Sequence, residues 1–311
     1  MKGKILVIGG ATATGKTALA VEMARRLNGE VISADCMLVY RGMDIGTAKP
    51  TEEEKGGIPH HLIDVVPPAS PFSVGDFEAL ALPVCENILA RGKVPVVCGG
   101  TGFYMQALLF SRSNGSVGAD PRLRARYEKL AAEEGNDALF ARLAAVDAES
   151  AAALHPNDVK RVIRALEIYE RTGRKKSEQN DGFRPRFPYA AVQLDYPREE
   201  LYARIGQRVD RMLEGGLVDE VRALLAAGVP ENAQSMQGIG YKEVLDFLKN
   251  RCSHSTMSDM IKQNTRHYAK RQITFFKKFP KMLRLDARES GIADTITELF
   301  YHDDQGTDPT M

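Results

Sequence analysis

A short segment near the start of the chain, Gly10–Thr17, has the residue types and spacing of a phosphate-binding loop. Its sequence, GATATGKT, fits the pattern G-x-x-x-x-G-K-[ST], in which glycines let the backbone fold around an anion. Lys16 adds a positive charge, and the Thr17 hydroxyl stands where such loops usually hold a Mg²⁺ ion. The residues predicted to bind phosphate are Gly10, Ala11, Thr12, Ala13, Thr14, Gly15, Lys16 and Thr17. The pattern predicts a site for a phosphate compound and leaves the rest of that compound open.

The segments on either side of this loop predict the strand and the helix that it requires. Ile5–Ile8 is an apolar run typical of a buried strand, and the apolar spacing of Ala18–Leu27 is that of a helix. A helix that begins at the loop points its free backbone N–H groups at a bound anion. A structural glycine turn without a ligand is the alternative, and the flanking strand and helix weigh against it.

Two further predicted strands end in residues that could join the phosphate loop. Glu30–Asp35 places the Asp35 carboxylate just beyond the end of a strand, and Val94–Cys98 leads into the glycine-rich turn Gly99–Gly102. Open α/β sheets bind their ligands at the carboxyl ends of their strands, so these residues are expected near the phosphate. The turn by itself is a weak signal and is also consistent with a simple tight turn before the predicted helix Phe103–Phe110.

Composition and charge exclude several classes of protein. The chain has 311 residues, 43% hydrophobic and 27% charged, which is typical of a soluble globular protein of one large domain or two. The net charge of +1 means that any affinity for nucleic acid must come from local basic patches. Four widely spaced cysteines argue against a zinc site and a disulfide framework. With no signal-peptide pattern and no apolar run long enough to span a membrane, we predict a cytoplasmic enzyme.

The pattern of the chain changes near Ser111. From Pro121 to about Arg174 the spacing is helical throughout, and Tyr189–Asp195 then predicts a strand that returns to the sheet. The predicted fold class is therefore α/β, a P-loop NTPase-like parallel sheet flanked by helices, with an all-helical insertion domain. The predicted divisions are residues 1–115 for the first part of the catalytic core, 116–187 for the helical insertion domain, and 188–311 for the rest of the core with its C-terminal basic helices.

Two segments are rich in positive charge. Residues 160–176 contain seven Lys or Arg and two acids, and residues 262–284 contain eight Lys or Arg and no acid. Tyr268 and three phenylalanines lie among the second set, and basic residues interleaved with aromatic ones suit RNA. Solvated helix faces and an aromatic core face are the alternatives. From the residues alone, the chain is a phosphate-ligand enzyme for which RNA is a candidate partner.

Several segments, taken together, are more specific. They occur in collinear order over about nine-tenths of the chain, an extent that short chance matches do not reach. The segments are Gly10–Thr17, Ile32–Asp35, Tyr40–Pro50, Pro59–Leu62, Gly99–Gly102, His155–Asp158, Arg164–Glu167, Gly240–Glu243 and Thr265–Gln272. In these segments the chain resembles the bacterial tRNA dimethylallyltransferases, also called tRNA isopentenyltransferases or IPP transferases.

The resemblance implies a reaction and a role for each motif. Enzymes of this family transfer the dimethylallyl group of dimethylallyl diphosphate to N6 of the adenosine just 3′ of the anticodon (position 37) in tRNA. The phosphate loop would then hold the diphosphate, with Mg²⁺ as cofactor at Thr17. Asp35 matches the general base of the family, and Thr101 matches a residue close to the reacting centre.

The resemblance also implies which residues contact the tRNA. The target adenosine must leave its stack, and residues 35–38 would line the pocket that receives it. The implied tRNA-binding residues are Asp35, Cys36, Met37, Leu38, Thr101, Arg124, Lys160, Arg161, Val162, Ile163 and Arg164. Leu38 stands where the family often has Gln, and Phe275 where it often has Trp. The partner expected is the anticodon stem-loop of tRNA, bound by a monomer without a membrane.

Three other functions remain open at this point. A P-loop kinase of a small metabolite would share the phosphate loop and Asp35 but should not retain tRNA. A prenyltransferase for free adenine nucleotides would not need the two basic segments. A non-catalytic RNA-binding protein would have no use for the phosphate loop and Asp35.

Overall fold

The computed structural model describes residues 3–111, 118–178 and 184–302. These fall into two compact units, one formed by Met1–Leu109 with Arg186–Met311 and the other by Phe110–Pro185. The helical segment thus interrupts the first unit in sequence. The predicted boundary between residues 115 and 116 lies outside the described residues, so the limits 116–187 stay a prediction.

The first unit contains a six-stranded sheet and the helices that cover it. Its strands are β1 (Ile5–Gly10), β2 (Gly29–Ser33), β3 (His60–His61), β4 (Val94–Cys98), β7 (Tyr189–Asp195) and β8 (Met282–Asp286). Its helices are α1 (Lys16–Arg26), α2 (Glu52–Lys55), α3 (Val74–Ala90), α4 (Gly102–Leu109), α9 (Arg198–Glu214), α10 (Leu217–Ala226), α11 (Tyr241–Leu248), α12 (His254–Phe276) and α13 (Ile292–His302).

All pairings in this sheet are parallel, and the strand order is β3-β2-β4-β1-β7-β8. Every residue of β1 and β2 is buried, because helices cover both faces of the sheet, and such strands are nearly continuous apolar runs. The predicted parallel α/β sheet is confirmed. Because β4 lies between β1 and β2, the loops that follow these three strands meet at one edge.

Two segments form shorter elements than their residue patterns suggest. The apolar residues of His60–Val65 are consistent with a strand, but β3 ends at His61, because Leu62 and Asp64 have φ values of 63° and 57°, which no β-strand accommodates. The amphipathic pattern of Glu199–Ala227 is that of one long helix, but it is broken into α9 and α10 at Gly215 and Gly216, where Gly216 has a φ of 95°. At the start of α3, Ser73 and Asp76 form the capping box for which their spacing is typical.

The second unit is built mainly from four helices. They are α5 (Pro121–Glu134), α6 (Asn136–Val146), α7 (Ala148–Ala152) and α8 (Val159–Thr172), next to a short antiparallel pair of β5 (Phe110–Ser111) and β6 (Arg184–Pro185). Its core joins Tyr127, Leu139, Leu143 and Val162. None of the helices in the described ranges of either unit is both long and apolar enough to cross a membrane.

Candidate active site

Three loops at the carboxyl ends of β1, β4 and β2 bring the predicted site residues of the first unit together. Gly10–Thr17 follows β1, Gly99–Gly102 follows β4, and Asp35 lies two residues beyond β2. Backbone hydrogen bonds join the strand ends, from Gly99 N to Ile8 O at 3.2 Å and from Ala34 N to Cys98 O at 2.8 Å. The phosphate loop and the carboxylate therefore flank the glycine-rich turn.

The phosphate loop has the backbone conformation that its glycines suggest. Gly15 has a φ of 85°, and Ala13 also adopts a positive φ, of 66°. The helix α1 begins at Lys16, so its first N–H groups have no partner within the helix and face the loop. These donors and the positive end of the helix dipole form a site for an anion.

The Lys16 ammonium lies inside this loop. Its Nζ donates a hydrogen bond to Ala11 O at 2.6 Å. The pKa of Lys16 is lowered to about 8, mainly by burial and also by nearby Arg208, while the charge of Asp35 acts in the opposite direction. An anion bound here would raise this pKa again, because an opposite charge favours the ammonium.

Asp35 is half-buried, and a fixed backbone surrounds it. Its Oδ1 accepts a hydrogen bond from Met37 N at 2.8 Å. The hydroxyl of Thr101 accepts one from Cys36 N at 3.0 Å, and Thr101 N donates to Ala34 O at 3.1 Å. Asp35 Oδ2 has no hydrogen bond among the residues that the structure describes, so this oxygen is available to accept a proton.

The thiols and phenols around Asp35 are held in their protonated forms. Burial and the charge of Asp35 raise the pKa of Cys36 to about 11, and burial raises that of Cys98 to about 11. Burial also raises the pKa of Tyr268 above its ordinary value, and the Tyr268 side chain lies near Thr101 and Cys36. At neutral pH these groups are therefore uncharged and poorly nucleophilic.

Two arginines of α9 belong to the site, and sequence reasoning missed them. Arg204 Nε donates to Ala13 O at 2.8 Å, and Arg208 Nη2 donates to Thr47 O at 3.1 Å. Burial lowers the pKa of Arg208, and the charge of Asp35 opposes that shift. Their spacing of four residues puts both on one face of a helix. This spacing could have identified the pair, but the apolar residues of the same segment are the more obvious pattern.

The loop after Asp35 is fixed by a carboxylate from α10. Glu220 accepts hydrogen bonds from the backbone N–H groups of Asp44 and Ile45, both at 2.7 Å, and of Gly46 at 3.1 Å. The Tyr241 hydroxyl donates to the same carboxylate at 2.7 Å. These four hydrogen bonds hold an otherwise irregular loop in place beside the site.

The basic segment 262–284 covers the second part of α12 and the residues that follow it, and it contributes both core and surface. Phe276 and Phe279 are buried, so part of the aromatic set belongs to the core, as the alternative proposed. Lys277 and Lys278 are exposed and form no ion pair among the residues described. The turn directly after α12 therefore presents free positive charge to solvent.

The predicted tRNA-binding residues of the second unit divide into two groups. Arg124 donates from Nε and Nη2 to the buried Glu167, both at 2.8 Å, and Arg164 donates to the same carboxylate at 2.6 Å. The side chains of Val162 and Ile163 are in the core of the unit, whereas Lys160 and Arg161 are exposed. Contact of these residues with tRNA stays a prediction.

The other predicted pocket residues, Cys36, Met37 and Leu38, are half-buried directly after Asp35. Their contact with a base also stays a prediction.

The residues present fit a Mg²⁺ ion that binds together with a phosphate ligand. Thr17 is exposed, and no group of three or more His, Cys, Asp or Glu side chains in the described part of the chain could hold a metal ion. An ion at Thr17 would take the hydroxyl as its protein ligand and its other ligands from phosphate oxygens and water. That is the ligand set that Mg²⁺ prefers beside phosphates.

Comparison with known proteins identifies the family of the chain. The chain matches the family model described as IPP transferase over residues 38–279 and the one described as Isopentenyl transferase over residues 3–64. A protein named tRNA dimethylallyltransferase 1 from Trichlorobacter lovleyi is 49% identical to it, over 91% of this chain and 93% of the relative. The tRNA dimethylallyltransferase of Geobacillus kaustophilus is 46% identical, over 94% and 93%.

Solved structures resemble it over most of its length. The tRNA isopentenylpyrophosphate transferase of Bacillus halodurans is 42% identical, with a TM-score of 0.73, over 97% of this chain and 96% of that one. A eukaryotic dimethylallyltransferase acting on tRNA is 32% identical, with a TM-score of 0.82, over 95% and 76%. A family match over most of the chain and relatives near half identity show that this protein belongs to the IPP transferase family.

Proposed function

We propose that this protein is a tRNA dimethylallyltransferase. It transfers the dimethylallyl group of dimethylallyl diphosphate to N6 of the adenosine just 3′ of the anticodon, giving N6-(dimethylallyl)adenosine. The observation that carries the proposal is the position of Asp35 and the Lys16 loop at the ends of strands on either side of β4. The names of the relatives support tRNA as the acceptor.

The donor half of the reaction belongs to the phosphate loop. As the bond between C1 of the dimethylallyl group and the diphosphate oxygen breaks, its electron pair stays on that oxygen. Lys16 and the N–H groups at the start of α1 stabilise the developing negative charge. A Mg²⁺ ion held at Thr17 would supply further charge neutralisation to the same diphosphate.

The acceptor half belongs to Asp35 and Thr101. The exocyclic amine of adenine is a weak nucleophile, because its lone pair is delocalised into the ring. As the bond from N6 to C1 forms, one N6 proton passes to the free Oδ2 of Asp35. The hydrogen bonds of Thr101 to Cys36 N and Ala34 O keep the backbone on both sides of Asp35 in place.

The raised pKa of the Cys36 thiol keeps it from competing with the acceptor amine for the dimethylallyl group. An allylic diphosphate also alkylates thiolates, and Cys36 is adjacent to the general base. Because burial and the charge of Asp35 hold the pKa of Cys36 at about 11, this thiol stays neutral while the amine reacts. The site therefore favours nitrogen over sulfur.

The anticodon stem-loop of tRNA is the proposed partner. Exposed cations such as Lys277 and Lys278, just after α12, and Lys160 of α8 would contact its phosphates, and the target adenosine would flip out of its stack. Dimethylallyl diphosphate as donor, a monomer as the active form and a cytoplasmic location are parts of the same proposal.

The proposal is tested by a labelled-prenyl transfer assay. The purified protein is incubated with Mg²⁺, labelled dimethylallyl diphosphate and tRNA that lacks the modification, with AMP or ATP as acceptor in parallel reactions. Label in tRNA alone is the expected result. Label in AMP would indicate a prenyltransferase for free nucleotides. Consumption of ATP without prenyl transfer, when metabolites are added, would indicate a kinase.

The role of Asp35 has its own test. We expect Asp35→Asn to lower kcat by about 10²- to 10⁴-fold, the range for a general base, while tRNA affinity is unchanged. Asp259→Asn removes an exposed carboxylate of α12 and is the matched control, expected to keep full activity. Normal turnover of the Asp35 variant would remove the residue from this role.

A further inference from the structure

Helix α12 lies directly on the glycine-rich turn of the site. A Cβ atom added at Gly102 would meet the Phe275 ring at 2.2 Å, and one added at Gly100 would meet Nε2 of Gln272 at 2.1 Å. Real Cβ contacts are never this short, so these glycines are what allow the helix to approach. The position of α12 is thereby tied to the backbone beside Thr101.

Gln272 lies where α12 crosses this turn, and its side-chain amide forms hydrogen bonds with two separate loops. Its side chain is buried, with a relative exposure of 5%. Oε1 accepts a hydrogen bond from Thr12 N at 3.0 Å, and Nε2 donates one to Gly100 O at 3.0 Å. One planar amide thus joins the phosphate loop to the glycine-rich turn.

The bond to Thr12 fixes a peptide group on which Lys16 depends. The carbonyl of that same peptide group, Ala11 O, accepts hydrogen bonds from Lys16 Nζ at 2.6 Å and from the Thr14 hydroxyl at 2.9 Å. A trans peptide is planar and its N–H and C=O point in opposite directions. Holding the N–H of Thr12 on Gln272 therefore holds the Ala11 carbonyl towards the ammonium.

The bond to Gly100 acts on the acceptor side. Gly100 O belongs to the peptide group whose nitrogen is Thr101 N, and this N–H donates to Ala34 O at 3.1 Å. The Thr101 hydroxyl then accepts from Cys36 N at 3.0 Å. Gln272 is thus two hydrogen bonds away from the backbone on each side of Asp35.

We propose that Gln272 is a positioning residue that sets the distance between the diphosphate loop and the general base. It acts through Thr12 and Gly100, and its bonds to these two backbones leave it no direct part in the chemistry. The inference rests on the proposed function, because it concerns the alignment of a prenyl donor with its acceptor. A displacement of the reacting groups by about 1 Å costs about 10²-fold in rate, so the bridge matters for turnover.

The first experiment removes the amide and keeps the bulk. Gln272→Met has a similar length and no hydrogen bond to offer, and Gln263→Met on the exposed face of the same helix is the matched control. We expect kcat of prenyl transfer to fall by about 10²-fold for Gln272→Met while KM for tRNA stays the same. The affinity for inorganic diphosphate, measured by calorimetry, should fall as well, because Lys16 loses its fixed partner.

A second variant gives a signature that packing alone would not produce. In Gln272→Glu the ionised carboxylate can still accept from Thr12 N but faces Gly100 O as a second acceptor; once protonated, it can donate to Gly100 O again. Burial raises the pKa of such a carboxyl. We therefore expect the ratio of variant to wild-type kcat to rise as the pH falls, with no such trend for Gln263→Glu.

The outcomes separate the two proposals. If the wild type transfers label to tRNA and Gln272→Met does so equally fast, the positioning role is wrong and the proposed function stands. If the fall in kcat of Gln272→Met is explained by its lowered melting temperature, and the ratio of Gln272→Glu to wild-type kcat does not change with pH, then the hydrogen bonds of Gln272 are merely structural. If the wild type transfers no label, the proposed function fails, and unchanged diphosphate affinity in Gln272→Met would then overturn the positioning role too.

Discussion

The cations that are candidates for ligand binding differ between the two units in whether a carboxylate of the protein already neutralises them. In the second unit, Arg124 and Arg164 both bond to Glu167, which is completely buried. In the first unit, Lys16 bonds to a backbone carbonyl, and Lys277 and Lys278 form no ion pair within the described residues. These three lysines of the first unit thus stay available for an anionic ligand, whereas the two arginines of the second unit are already paired within the protein.

A count of charged residues does not show which cations are already neutralised within the protein. Residues 160–176 contain seven Lys or Arg and only two acids, so the sequence predicts a strongly basic helix. One of the two acids, Glu167, lies on the buried face of α8 and binds Arg164 of the same helix and Arg124 of α5. Lys160 of this helix is exposed and forms no ion pair among the described residues, so its charge is one that RNA would meet.

The largest effect is expected for the free cation of the first unit. Lys16→Ala removes the ammonium that faces the leaving diphosphate, and we expect kcat to fall by about 10²- to 10³-fold, as for other residues that stabilise developing charge. Burial lowers the pKa of Lys16 to about 8 in the free protein. Because the ammonium loses its proton above that value, kcat/KM for dimethylallyl diphosphate should decline as the pH rises through about 8. A flat alkaline profile would contradict this.

The ion pairs of Glu167 with Arg124 and Arg164 in the second unit should contribute to the free energy of unfolding. Burial alone would raise the pKa of Glu167, but hydrogen bonds from Arg124, Asp120 N and Arg164 lower it to about 2. A lowered folded-state pKa stabilises the fold above the ordinary carboxyl value of 4.5, and this contribution is lost as the pH falls towards 2. Glu167→Gln leaves two arginines without their partner and should lower the free energy of unfolding by about 3 kcal/mol at neutral pH.

Urea unfolding followed by circular dichroism measures this difference. The gap between wild type and Glu167→Gln should narrow at about pH 3, where the wild type has begun to lose the contribution. Glu149→Gln, an exposed change in the same unit, is the control and should alter stability little. Equal stability of Glu167→Gln and wild type at neutral pH would mean that the arginines are not held by this carboxylate.

The sequence predicted much of the site, because its main parts are local. Gly10–Thr17 needs only a strand before it and a helix after it, and both follow from periodicity. Asp35 was placed correctly because β2 ends two residues before it. These positions depend on short stretches of chain, which motifs describe well.

The parts that sequence reasoning missed depend on contacts between distant segments. Gln272 reaches Thr12 across 260 positions of sequence, and Glu220 reaches Asp44 across 176. Neither residue type is unusual in a helix, so no local pattern distinguishes them. Only the packing of α12 and α10 against the loops shows what they hold.

The two free lysines directly after α12 should contribute to the dependence of tRNA binding on salt. Replacing both Lys277 and Lys278 by Ala removes two candidate phosphate contacts, and each contact accounts for about 0.7 to 0.9 of the slope of log affinity against log salt. We expect the slope to decrease by about 1.5 and kcat at saturating tRNA to stay the same. Filter binding over a salt series measures it. An unchanged slope would mean that these two lysines belong to an ordinary solvated surface.

The smallest effect distinguishes two cations within one helix. Lys160 is exposed, whereas Arg164 is half-buried and bonds to Glu167. If α8 contacts tRNA, Lys160→Ala should reduce the salt slope by about one contact and leave the melting temperature unchanged. Arg164→Ala should leave the salt slope unchanged, because the charge of Arg164 is already balanced by Glu167. It should lower the melting temperature, because its loss leaves that buried carboxylate with one arginine fewer. Equal effects of the two variants on the slope would mean that ion pairing within the protein does not decide which cations the RNA meets.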